Sequence, residues 1–250
     1  MSGTQPQLIP DGGPLLQAAL GLSAHAVPAF SVHATCLSFV VAFHTAAALL
    51  AAGAYRRVLI VSTEVASAGL HPTEWESAAL MGDGAAAVLV GRAAPHESSC
   101  LEAFRFETYG DAHALAEIPG GGTLRALGLG EAHGAAHRFT MRGPQLLRLA
   151  MQITAPFLER LAPGLACGGG GVDWFVPHQA SAATGRMAAS LGWPAERVVM
   201  TLATRGNCIA ASIPLGLHAA VADGRVRRGD RVLLAGTGAG TSIGGVLLRY

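Results

Sequence analysis

The chain has 250 residues, 51% of them hydrophobic and only 13% charged, which is enough apolar material for a sizeable core. Seventeen Lys and Arg against sixteen Asp and Glu leave a formal charge of +1, so there is no basic field to hold nucleic acid. Four unevenly spaced cysteines show no paired metal spacing and read as reduced thiols of a cytoplasmic protein.

Met1 is followed by polar residues and proline rather than a basic start and an apolar run, so no signal peptide is expected. A short extended run around Ala29–His33 leads into Cys36. From Leu37 to Ala52 there is no Asp, Glu, Lys or Arg, which predicts a buried helix. The run is too short for a membrane span and a strand follows it directly, so it is a core helix. A thiol in its first turn meets the positive end of the helix dipole and unpaired backbone N–H groups. Both favour the thiolate, the form that attacks carbonyls. The structural alternative for Cys36 is a small apolar core residue.

A strand is predicted over Tyr55–Val61, and Gly82-Asp-Gly leading into Ala85–Val90 gives a hairpin signal. Ser98 to Phe139 reads as a loop-rich connection. Its Pro119-Gly-Gly-Gly-Thr123 lacks the Lys-Ser or Lys-Thr of a phosphate loop. Glu131, His133 and His137 have weak metal spacing and are expected on a solvated face. Apolar residues then recur at helical spacing from Arg142 to Leu161.

An apolar strand in Trp174-Phe-Val-Pro177 ends directly before His178, at the start of the next helix. An imidazole there is well placed to face a cleft and exchange protons near neutrality; the alternative is a capping or interior histidine. Gly206 permits a close approach before Asn207, which offers an amide at another helix entrance or serves as a plain N-cap. Cys208 is expected to pack beside Asn207, whereas Cys100 and Cys167 have no assigned role. The end of the chain repeats the earlier plan. Cys208 opens a small-residue helix, followed by a strand in Arg228–Ala235 and a glycine-rich turn, Gly236-Thr-Gly-Ala-Gly240. One helix–strand–strand unit is thus used twice, with Cys36 aligned on Cys208. A pseudo-dyad between the units would bring Cys36 and Asn207 into one pocket.

Ala34-Thr-Cys36, Met81-Gly-Asp-Gly-Ala85, Val176-Pro-His-Gln-Ala180, Gly206-Asn207, Ala210-Ala-Ser-Ile-Pro214 and the glycine-rich end through Arg249-Tyr250 resemble the β-ketoacyl-acyl carrier protein synthase III family of the thiolase superfamily. The resemblance covers nearly the whole chain. It implies an α/β thiolase-like fold of two pseudo-repeated halves in α/β/α/β/α layers. Residues 1–95 would carry Cys36, and residues 96–250 would carry His178 and Asn207.

The activity implied is a decarboxylating Claisen condensation that initiates fatty-acid or related polyketide synthesis. Cys36 would take an acyl group from acyl-CoA, and His178 and Asn207 would bind the malonyl-acyl carrier protein thioester carbonyl. The backbone N–H groups of Cys36 and Ala239 would form an oxyanion hole. The resemblance also implies a homodimer and no metal or redox cofactor. Two other classes stay open: acyl transfer without condensation, and a non-catalytic partner subunit.

The chain departs from the family pattern in several places. Ser38 replaces the usual glycine, and its hydroxymethyl is expected either to crowd the helix packing or to narrow the acyl tunnel; His33 is unexpected beside the nucleophile. Ala183 stands where an arginine commonly docks the carrier protein, with Arg186 the nearest basic residue. The segment matching Thr4 to Gly21 lies well inside the family's chains, so the N-terminal half is expected to be incomplete. Two strands would be absent between Ala29–His33 and the strand at Val58–Ser62, leaving a gap. This chain alone is therefore expected to be poorly soluble or inactive.

Overall fold

A computed structural model describes residues 4–7, 9–71, 73–125 and 135–250. In chain order the elements are α1 (Gly12–Ala19), α2 (Ser38–Ala51), β1 (Arg57–Glu64), α3 (Trp75–Ala78), β2 (Gly84–Gly91), β3 (Cys100–Thr108), β4 (Ala116–Glu117), β5 (Thr140–Met141) and α4 (Gly143–Leu161). There follow β6 (Trp174–Pro177), α5 (Ala183–Ser190), α6 (Leu202–Arg205), α7 (Ser212–Ala222), β7 (Arg231–Gly238) and β8 (Ser242–Arg249).

The main sheet has the order β3-β8-β7-β6; β8 runs antiparallel to both neighbours, and β6 lies parallel to β7. A second sheet pairs β1 antiparallel with β2. Helices α2 and α7 lie between the two sheets, which is why neither has a charged face. Leu37, Phe39, Val40 and Ile213 pack there with Ile60 from one sheet and Val176, Val232, Leu234 and Val246 from the other. The alternate residues of β7, Leu233 and Ala235, face outward and join Ile153, Phe157 and Leu161 of α4. The amphipathic helix expected from Arg142 onward is therefore present, and it covers the outer face of the main sheet.

The internal repeat is present, but two residues out of the expected alignment. Thr35–Leu37 and Ile209–Ala211 are single-turn helices leading into α2 and α7. Thr35, Ser38, Arg57 and Glu64 correspond to Ile209, Ser212, Arg231 and Gly238 at one constant offset, which pairs Cys36 with Ala210 rather than Cys208. Backbone geometry fixes this alignment, because Thr35 and Ile209 both hold positive φ, 47° and 46°.

Two other expectations are corrected. Ser98–Phe139 is not a plain connection, because β3 occupies nine of its residues and forms one edge of the main sheet. Its inward-facing Leu101, Phe104 and Phe106 are the alternating signal. The stretch 29–33 forms no strand, and β1 pairs with β2 alone among the described residues. An apolar groove of about 500 Å³ lies between that stretch, β1 and α2, lined by Phe30, Val32, Ala46, Leu49, Leu59 and Val61. In the second half a single strand, β6, rather than two, flanks β7 on the corresponding side. The other added strand, β3, lies beyond β8. Glu131 and His133 lie outside the described residues.

Candidate active site

Three backbone turns converge where α2 and α7 begin. Cys36 lies in the first, between the sheets and against the end of β7. The Thr35 hydroxyl donates to Ala239 O at 3.1 Å, and the Ala239 backbone hydrogen-bonds the Cys36 sulfur. Ser38 does not crowd this turn. Fully buried, its Oγ accepts from Ala34 N at 3.0 Å and donates to Thr35 O at 2.7 Å, closing the turn on itself.

His178 follows β6, and its N–H donates to Ala235 O of β7 at 2.9 Å. A Cβ on Gly236 would meet the His178 Cβ at 2.4 Å, so only glycine lets the imidazole lie against the strand. Asn207 is clamped in the opposite direction: its N–H donates to Leu80 O at 2.6 Å, and its carbonyl accepts from Gly82 N at 3.1 Å. The asparagine Oδ1 accepts from Ile209 N at 2.9 Å, so the amide acts as a local cap. That bond leaves Nδ2 as the group to donate toward a substrate. The His178 ring also lies against the Ile209 backbone, and its buried Nδ1 has no hydrogen-bond partner among the described residues. The histidine and the asparagine are therefore brought to one residue, at the start of the turn that packs on the turn of Cys36.

Burial governs the electrostatics. At Cys36 burial outweighs the backbone N–H groups of Ala239 and Cys36, which favour the thiolate as a helix start implies. Although part of Cys36 reaches solvent, the protein crowding around it pushes the thiol up to about 11. The Ala239 hydrogen bond works the other way, and the negative charge of Glu64 adds to the rise. Burial also holds His178 down at about 4, partly offset by the Ile209 backbone, so the imidazole is neutral near pH 7.

Nothing in the sequence marks Glu64, a lone acid ending a strand. It is 2% exposed and accepts from Thr4 N at 2.9 Å and Thr4 Oγ1 at 3.0 Å. Cys208 is buried beside Asn207, its thiol donating to Arg205 O at 3.2 Å. His33 is exposed; Cys100 and Cys167 are free and exposed.

The family model for the C-terminal part of 3-oxoacyl-(acyl-carrier-protein) synthase III matches residues 168–250, and the companion model for the same enzyme matches residues 30–110. The chain belongs to this family. The β-ketoacyl-(acyl-carrier-protein) synthase III 3 of Streptomyces coelicolor is 37% identical over 242 residues, spanning 96% of this chain and 72% of that protein. The synthase III of Laribacter hongkongensis is 34% identical over 99% of this chain and 75% of its own length. The solved synthase III of Pseudomonas aeruginosa is 30% identical and superposes on the whole chain and 74% of its own with a TM-score of 0.86. That of Aquifex aeolicus reaches 0.85 at 29% identity, over the whole chain and 75% of its own. The thiolase-like fold and the condensing type of acyltransferase follow from membership in the synthase III family. No helix among the described residues is long and apolar enough to cross a membrane.

Two outcomes follow from the burial. Inactivation by iodoacetamide should quicken about tenfold per pH unit through pH 9 and level only near 11; levelling at pH 7–8 would contradict a buried thiol. An unfolded imidazole titrates near 6.5, so from there down to about 4 the unfolded chain takes a proton that folded His178 refuses. Stability should therefore fall over that window by roughly 3 kcal/mol. Urea titrations at several pH values should show a shallower fall for His178→Asn, and an unchanged slope would contradict the assignment.

Proposed function

We propose that the site assembled by this chain serves the initiating decarboxylative condensation of an acyl-CoA with malonyl-acyl carrier protein. The observation that carries this reading is the convergence of His178 and Asn207 on Ile209, beside the turn that holds Cys36 against Ala239. Catalytic roles for Cys36, His178 and Asn207, with Cys36 and Ala239 N–H as oxyanion donors, are part of the proposal.

In the first step the Cys36 sulfur attacks the acyl-CoA thioester and coenzyme A leaves as its thiol. Malonyl-carrier protein then enters. Its carboxylate C–C bond breaks, CO₂ departs, and the electron pair remains as an enolate whose oxygen faces the ring N–H of His178 and the Asn207 amide. Neutral His178 donates without losing its own proton, which a depressed pKa favours. The enolate carbon attacks the acyl-Cys36 carbonyl, a C–C bond forms, and the Cys36 thiolate leaves and takes a proton from solvent to restore the thiol. Bond cleavage supplies the electrons, so the scheme calls for no metal or redox group.

We place the chain in the cytoplasm as a homodimer. Four free cysteines fit a reducing compartment, and the exposed Val27 and Phe30 on the stretch before Cys36 offer an apolar surface for a second copy. The 1–95 and 96–250 halves are proposed as its two structural units. Carrier docking falls to exposed Arg186, one turn after Ala183 on α5.

Intact mass after incubation with acetyl-, isobutyryl- or octanoyl-CoA should show an acyl adduct that Cys36→Ala abolishes. His178→Ala and Asn207→Ala should still load, yet release CO₂ from malonyl-carrier protein about 100-fold more slowly or worse. Loading without CO₂ release in the wild type would mean acyl transfer without condensation; no adduct on folded protein would point to a non-catalytic subunit.

A further inference from the structure

The fully buried side chain of Gln179 bonds to both segments that deliver the malonyl-facing groups. Its Nε2 donates to Pro177 O at 2.9 Å and to Val199 O at 3.1 Å. Its Oε1 accepts from Thr201 N at 3.0 Å and Leu202 N at 3.1 Å. Two donors and two acceptor sites are all that an amide has, so its capacity is filled and its plane is fixed. Pro177 ends β6 directly before His178. Leu202 opens α6, whose last residue, Arg205, precedes Gly206 and Asn207. A single planar group therefore spans from the histidine's strand to the asparagine's helix.

We propose that Gln179 is a positioning residue for decarboxylation, setting the placement of His178 relative to Asn207 without touching substrate. This rests on the condensing reading above. The turn of Cys36 is built separately, from Ser38, Thr35 and Ala239, and makes no bond to this amide. The two half-reactions thus depend on different scaffolds.

The test separates acyl loading, read by intact mass with acetyl-CoA, from CO₂ release out of malonyl-carrier protein. Gln179→Met keeps the length and removes all four bonds; Gln179→Glu keeps the acceptor side and loses the donors. Both should load Cys36 at close to the wild-type rate and release CO₂ about 100-fold more slowly, the penalty of a misplacement near 1 Å. The Gln179→Glu defect, taken as a ratio to wild type, should shrink as pH falls, because a protonated acid regains one donor. A merely structural residue would lower loading of Cys36 along with CO₂ release. Loading and CO₂ release falling together, neither falling, or both variants failing to fold would overturn the proposal. A wild-type chain that loads but releases no CO₂ would instead sink the condensing reading beneath it.

Discussion

Thr35 and Ile209 are β-branched residues held at positive φ, a conformation that costs of order 1–3 kcal/mol each and persists only where the surroundings enforce it. Each opens a single buried turn, and the two turns pack on each other between the sheets. The remaining geometry follows from this meeting. Left-handed Thr35 turns the chain so that Cys36 faces Ala239, while left-handed Ile209 lets its N–H donate to Asn207 Oδ1 and its backbone meet His178. Ser38 offsets part of the strain in the first turn by bonding Ala34 and Thr35. Glycine at 236 lets the imidazole come close, and the bonds to Leu80 and Gly82 hold the asparagine in place.

Burying this meeting point has an electrostatic consequence. Desolvation disfavours every charged form, so the resting site contains a neutral thiol and a neutral imidazole. That state suits a reaction in which negative charge appears only transiently, on an enolate and then on a tetrahedral oxyanion. Fixed N–H donors in a region of low dielectric stabilise such charges more than water would, because they need no reorganisation. The thiolate is opposed by burial and, to a lesser degree, by Glu64, and favoured locally by the Ala239 backbone.

Much of this was legible in the sequence. The uncharged run after Cys36 marked a central helix, Pro-His-Gln marked a strand end, and Gly-Asn marked a close approach. The repeat was visible but aligned on the wrong cysteine, because residue identity suggested Cys208 while backbone conformation pairs Cys36 with Ala210. The helix-terminus argument gave the direction of the local N–H groups on the Cys36 thiol, but it cannot count the protein atoms packed around them. Strand β3 was hidden because its alternation is interrupted by a register shift between Leu101 and Ala103. Glu64 and the bonds of Gln179 carry no local pattern, since their partners lie far away in the chain.

The central claim is that His178 and Asn207 jointly hold the malonyl carbonyl oxygen while Cys36 carries the acyl group. A crystal structure of the acetylated enzyme with a non-decarboxylating malonyl thioester analogue tests it most directly. The account predicts the analogue's thioester oxygen within about 3 Å of both the histidine ring nitrogen and Asn207 Nδ2, and the acetyl oxygen facing the N–H groups of Cys36 and Ala239. An analogue bound with that oxygen in solvent, or against the Ala239 turn instead, would contradict it.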